Sequence, residues 1–167
     1  GPQPQTVEAL RQWKPSTSQV DATILDNRPD APGRSQGYSN DPAYKKAVEL
    51  RAMEMTKAHY ESEGFTVVDT SSNHPYDFEV RKDGVLRRVE VKGSAGGLAE
   101  INVTANEVRH AQRKDIVTDL ALVAHIVFDR DTKTAADGTL RLVKDWNPSD
   151  NHLTPTAFRC KVDHELF

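Results

Sequence analysis

Asp77, Glu90 and Lys92 are the residues whose types and spacing could do chemistry together. They lie in residues 76–93, YDFEVRKDGVLRRVEVKG, where two runs of alternating apolar and charged residues flank Asp83 and Gly84. An Asp-Gly pair between such runs predicts a β-hairpin with a two-residue turn. With Asp83 and Gly84 as the loop, Lys82 faces Val85, Glu79 faces Arg88, Phe78 faces Val89, Asp77 faces Glu90 and Tyr76 faces Val91. One face then collects Tyr76, Phe78, Val80, Val89 and Val91, and the other Asp77, Glu79, Arg88, Glu90 and Lys92. Like charges directly opposite one another destabilise a sheet, so Asp77 facing Glu90 needs a neutraliser. On an ordinary strand face that is Lys92 or solvent. The chemical alternative is a hard divalent cation, Mg²⁺ or Mn²⁺ in its place, held by both carboxylates. Lys92 would then hold or deprotonate an attacking water and stabilise charge building on a phosphate. Glu-x-Lys is common strand chemistry, so both readings stand on these residues alone.

Asp77 followed by Glu90-Val91-Lys92 resembles the PD-(D/E)xK nuclease signature, with Pro75-Tyr76-Asp77 where the strict pattern has Pro-Asp. More specifically, PYDFEVRKDGVLRRVEVKGSAGG together with INVTANEVRHA, and AVELRAMEMTKAHYESEGFTVVDTS ahead of them, resembles the NO VEIN C-terminal-like domain of bacterial restriction and defence proteins and of plant NO VEIN proteins. The resemblance runs over residues 41–162 in four ordered segments. It implies an α/β fold, a restriction-endonuclease-like core with a central mixed β-sheet flanked by α-helices. It implies metal-dependent hydrolysis of DNA phosphodiesters, with Asp77, Glu90 and the backbone carbonyl of Val91 on the metal and Lys92 as the catalytic lysine. Glu49 on the leading helix is the further acid that would complete the site, with Glu54 as its competitor and Glu61 on the surface. The expected protein is the cleavage module of a restriction or defence protein, attached to other domains and binding DNA. Double-strand cutting would need two sites, hence a homodimer. The alternative is the same fold without catalysis, sensing DNA or docking another protein.

The elements that must position these residues are legible in outline. Asn40-Asp41-Pro42 carries a cap followed by proline, so a helix is expected over residues 41–62 with Gly64 ending it. Tyr44, Ala47, Val48, Leu50, Met53, Met55 and Ala58 are its expected buried face, with Glu49 set among them. Strands are expected at 65–70, 99–103, 120–128 and 139–144, with an edge strand at 156–162. The run 120–128 is nearly all apolar, as in a strand buried on both faces. Thr104 to Glu107 has the spacing of a capping box, so a helix is expected over 105–114, occupying Glu107 structurally. Gln112 is an accessory candidate there. Residues 93–97 read either as a flexible connector or as a close backbone approach to phosphate. Arg87, Arg109, Arg113 and Lys114 read as solvated charges or phosphate contacts, and Trp146 as a packing anchor.

Bulk properties bound the rest. The chain has 167 residues, 37% apolar and 28% charged, and a net charge of −3, which argues against strong DNA binding on its own. Cys160 is the single cysteine, so no internal disulfide forms, and the six histidines have no zinc-site spacing. No apolar run approaches the ~20 residues of a membrane span, and no leader is visible, so cytoplasmic residence is expected. No Walker or Rossmann glycine pattern suggests a nucleotide enzyme. Residues 1–40 read as a linker or arm, with a short helix at 7–13 and docking contacts from Trp13, Ile24 and Leu25. Gly1-Pro2 reads as a protease-cleavage scar on a fragment of a larger protein, with residues 41–167 the nuclease-like domain.

Overall fold

The computed structural model describes residues 41–157. These fall into two units, 41–147 and 148–157. The arm, its expected helix and docking contacts, and most of the expected strand at 156–162 lie outside the described residues; Thr156 and Ala157 are not in a strand. The second unit holds the 3-10 turn Asp150–His152, whose preceding Ser149 N–H donates to His152 Nδ1 at 3.2 Å.

Helix α1 spans Pro42–Ser62. Asp41 caps it, its Oδ1 accepting from the Ala43 N–H at 2.9 Å, and Pro42 occupies the first turn. Gly64 follows with φ of 87°, the left-handed conformation that a glycine adopts without a Cβ clash. Its buried stripe is Ala47, Val48, Ala52, Thr56 and Tyr60. The expected face was partly misplaced: Leu50 is 55% exposed and Ala58 is also exposed, because the buried row continues from Val48 in steps of four.

The first part of the stripe, Ala47, Val48 and Ala52, is small in side chain, and the reason lies in the sheet. Strands β1 (Thr66–Asp69), β2 (Phe78–Lys82), β3 (Val85–Gly93), β4 (Val117–Ala124) and β7 (Thr139–Val143) form a mixed sheet in the order β1-β2-β3-β4-β7. Only β3 and β4 run parallel; the other neighbours are antiparallel. A Cβ built on Gly93 would stand 2.8 Å from Ala52 Cβ and 3.2 Å from the Val48 carbonyl. The end of β3 and the first half of α1 therefore touch almost backbone to backbone. Gly93→Ala is expected to destabilise the protein by about 1–3 kcal/mol through overpacking, read as a lower urea midpoint with an unchanged m-value.

From Phe78 to Lys82 the hairpin register is the expected one, with Phe78 opposite Val89, Glu79 opposite Arg88 and Lys82 opposite Val85, but the expected pairs of Asp77 with Glu90 and Tyr76 with Val91 do not form, because the ladder ends at Phe78. Asp83 and Gly84 both have positive φ, 51° and 78°, as a type I′ turn requires. Phe78, Val80, Val89 and Ala121 form a core with Tyr60 of α1. On the other face, Leu120, Leu122, Leu98 and Trp146 pack with Ala111 of helix α2 (Ala105–Ala111). Strand β4 thus feeds alternate side chains into two cores, as its apolar run predicted, and Trp146 is a packing anchor.

Several boundaries differ from expectation. Residues 99–103 form no strand; Ile101 and Val103 pack on the Leu120 core without a ladder partner. Helix α2 stops at Ala111, with Gln112 as its cap, because no apolar side chain follows to hold another turn on the sheet. The run 120–128 is broken at His125, which has φ of 57° and whose N–H donates to the Gly96 carbonyl, while Ile126 N–H donates to the Ser94 carbonyl. The chain then forms a small hairpin that the sequence did not announce, β5 (Val127–Asp129) with β6 (Thr134–Ala136). The same hydrogen bonds show residues 93–97 to be a tied loop rather than a loose connector.

Candidate functional site

Strand β2 has five residues and β3 nine, so β3 outruns its partner. Pairing between them ends at Phe78 and Val89, whereas β3 stays paired with β4 through Gly93. The far end of β3 is therefore an open edge. In this hairpin the odd-numbered residues of β3 turn their backbone groups toward β2, so Val91 turns its N–H and C=O toward the space where β2 has stopped.

Asp77 occupies that space. It lies one residue before β2 and is pinned through its backbone: its N–H donates to the Val89 carbonyl at 2.9 Å and its carbonyl accepts from Thr70 N–H at 2.9 Å. Val89 thus serves both Phe78 and Asp77, the pattern of a β-bulge. This shifts the side-chain alternation. Asp77 Oδ2 accepts from the Val91 N–H at 2.8 Å, doing the work of a missing strand residue. Tyr76 crosses to the face opposite that expected: its ring carries the Arg88 guanidinium at 4.6 Å and its hydroxyl donates to Glu79 at 3.0 Å. Glu79 faces Arg88 as expected but makes no ion pair with it, since Glu79 bonds Tyr76 and lies 3.5 Å from Arg81.

Asp77, Glu90, Val91 and Lys92 line one cleft of about 470 Å³, with Tyr44, Lys45, Val48 and Glu49 of α1 on one wall and Glu107 of α2 on another. The structure thus brings together all four expected side chains, Glu49 included. Glu49 stands at the rim: its side chain is 57% exposed and it lies 3.5 Å from Lys46, so it is not part of the buried stripe. Glu54 pairs with Arg51 and Glu61 with Lys57, and neither lines the cleft. Gln112 caps α2 and does not line it either.

Glu107 was expected to be spent on its capping box. The box forms, with Thr104 Oγ1 accepting from Glu107 N–H, but the carboxylate does more. Its Oε2 accepts from both the Thr104 N–H and Lys92 Nζ, each at 3.0 Å. Lys92 Nζ is also 3.0 Å from Glu90 Oε1. A carboxylate can accept several bonds, so the signal for Glu107 was present in its chemistry, although nothing in the spacing tied α2 to β3.

The electrostatics follow from one ammonium facing several acids. Burial pushes Glu90 up to about 8, Asp77 and Glu107 add to the rise, and Lys92 opposes it. Burial also raises Asp77; the Val91 N–H and Lys92 pull it down, and Glu107 and Glu49 push it up again. Burial lowers Lys92, but Glu90 and Glu107 more than offset this and its net shift is upward. Among the described residues no group of three or more His, Cys, Asp and Glu side chains is arranged as a metal site. The donors on offer are two carboxylates and a backbone carbonyl at an over-acidic cleft. That is an all-oxygen set suited to a hard cation that keeps waters or phosphate oxygens in its remaining positions.

The arginines considered for phosphate are engaged differently. Arg87 grips the fully buried Asp119 of β4, with Nε to Oδ2 at 3.0 Å and Nη2 to Oδ1 at 2.6 Å, and also pairs with Asp145. It is a structural arginine. Arg109 bonds Asn106 and Arg113 bonds Asp115, while Lys114 is exposed. No helix among the described residues is long and apolar enough to cross a membrane.

No curated protein and no solved structure matches this chain. The family model described as Protein NO VEIN, C-terminal, matches residues 48–134, from the first half of α1 through β3, α2 and β4 to β6, and so takes in every side chain of the cleft from Val48 onward. The chain belongs to the Protein NO VEIN, C-terminal, family.

Proposed function

We propose that the chain is a metal-dependent endonuclease domain of PD-(D/E)xK type that hydrolyses DNA phosphodiesters, the cleavage module of a larger restriction or defence protein. The observation that carries this reading is the convergence of Asp77, Glu90 and Lys92 on one cleft at the open end of β3. Asp77, Glu90 and the carbonyl of Val91 would hold Mg²⁺ or Mn²⁺, with Glu49 reaching in from the rim. Bound there, the ion would offset charge on the phosphate and make its water easier to deprotonate. Lys92 aims its ammonium into the same cleft, where it can orient the attacking water and stabilise the phosphate oxygens. Glu107 holds Lys92 in place from α2. Asp77 is fixed by three hydrogen bonds before any ligand arrives, to Val89, Thr70 and Val91, so little ordering remains to be done.

One observation favours the alternative, a nuclease fold used for DNA sensing or docking: Lys92 is already engaged by two carboxylates, Glu90 and Glu107. Nicking of supercoiled plasmid by the purified chain, with Mg²⁺ and with EDTA, separates the two. Mg²⁺-dependent nicking is expected, with a loss of at least a hundredfold in Asp77→Ala and Lys92→Met and an unchanged far-UV spectrum in both. Full activity in Lys92→Met would remove the proposed mechanism.

A further inference from the structure

A second polar cluster lies on the same strand face as Glu90 and Lys92. Arg88 is 8% exposed, yet among the described residues no carboxylate lies within ion-pair distance of it. Its Nε is buried without a hydrogen-bond partner, its Nη1 is 3.5 Å from His110 Nδ1, and its guanidinium lies over Tyr76. Burying a cation without an anion is costly unless something pairs with it. The acids beside it on the sheet are occupied: Glu79 by Tyr76 and Arg81, Glu90 by Lys92. Arg109, Arg113 and His74 add their fields around His110. His74 is exposed and stacks on Tyr76 with ring centroids 5.0 Å apart, so a flat ring lies at the mouth of the cluster.

Arg88 and Glu90 are two residues apart on one strand face, about 6.6 Å, comparable with the separation of adjacent phosphates along a nucleic-acid strand. Helix α2 repeats the pairing: Glu107 contacts Lys92, and His110, one turn on, contacts Arg88. We infer that Arg88 and His110, with Arg113 at the edge, form a subsite for the phosphodiester next to the one that the Asp77 and Glu90 site would hold, in an unpaired strand whose base can stack on His74. A guanidinium fork suits a phosphate's oxygens, and stacking on a ring is how single strands are gripped without regard to sequence. The adjacency to a scissile phosphate rests on the phosphodiesterase reading; the recognition of phosphate does not.

The test is fluorescence anisotropy of the full chain with a fluorescein-labelled single-stranded deoxyoligonucleotide in EDTA, as a function of salt, beside plasmid nicking in Mg²⁺. Arg88→Met is expected to weaken binding at least tenfold and to reduce the slope of log K against log salt by about 0.7, the loss of one phosphate contact. A purely structural arginine would lower thermal stability without moving that slope. If Arg88→Met fails to fold, the double variant His110→Gln with Arg113→Gln carries the test, with an expected weakening of at least fivefold. Unchanged affinity and slope in folded variants, or no binding by the parent, overturns the subsite, whether or not the parent nicks DNA. Binding that depends on Arg88 in a chain that does not nick supports the subsite and removes the nuclease reading.

Discussion

Glu90→Gln is expected to abolish nicking and, in the metal-free protein, to raise stability at pH 8.5 while leaving it nearly unchanged at pH 5. The carboxyl of Glu90 is held up to about 8 by burial, reinforced by Asp77 and Glu107, whereas in the unfolded chain it ionises near its ordinary value of 4.5. Between those values the folded state carries a proton that the unfolded state has released. Stability therefore falls as pH rises through the window. A shift of this size corresponds to something on the order of 4 kcal/mol once the window is crossed, at 1.36 kcal/mol per unit. Glutamine is neutral throughout and does not incur this, although it gives up the contact with Lys92. Thermal unfolding of both proteins from pH 5 to 8.5 tests the claim, since titrating groups away from the cleft cancel in the difference. Mg²⁺ should raise the melting temperature of the parent at pH 8.5 and not that of Glu90→Gln, because a ligand stabilises only the state that binds it. A pH-independent difference between the two proteins would mean that Glu90 is not a strained acid.

Asp119→Ala is expected to cost about 3–5 kcal/mol, the range for removing one partner of a buried ion pair. Asp119 is fully buried on β4 and accepts from Tyr60 Oη at 2.7 Å, from two nitrogens of Arg87, from Lys144 Nζ at 3.3 Å and from the Asp145 N–H at 3.0 Å. Burial alone would raise its pKa, but Arg87, Tyr60, the Asp145 N–H and Lys144 outweigh that and hold it below the ordinary aspartate value. Its contribution is thus in place above pH 4 and is lost as pH falls below the unfolded value. Urea unfolding at pH 7 and at pH 3 measures both parts: a large deficit at neutral pH that narrows in acid. A deficit under 1 kcal/mol at pH 7 would contradict the closed network. Tyr60 sits in the last turns of α1 and Val48 and Glu49 in its first, so the same helix is anchored at one end by Asp119 and bounds the cleft with the other.

What was legible in the sequence was what depends on neighbours along the chain. Asp83-Gly84 set the register from Phe78 to Lys82, and Asp41-Pro42 set the start of α1, because turns and caps are decided by a few adjacent residues. The apolar run of β4 announced a strand covered on both faces. The candidate site was legible as a set of residues, since Asp77 and Glu90-Val91-Lys92 flank one hairpin that the sequence announces. How they meet was not legible. The simple pairing stops at Phe78 and Val89, and the bulge at Asp77 is selected by a long-range bond to the Val91 N–H. Tyr76 changed face for the same reason. Glu107 and Asp119 were missed as partners because each depends on which element packs against which: α2 on the end of β3, and Arg87 and Tyr60 on β4. The break at His125 likewise depends on carbonyls some thirty residues earlier, at Ser94 and Gly96.

The four-residue difference in length between β2 and β3 carries a consequence for how this fold could be silenced or retuned. The cleft is unspent hydrogen-bonding capacity, a stretch of ladder with one rail missing. Two more residues of regular pairing ahead of Phe78 would cover the backbone of Val91, displace Asp77 from its amide and turn the opening into continuous sheet. The cleft in such a scaffold is therefore bounded by where a strand is made to stop, and a relative could lose it with every acid and the lysine still in place.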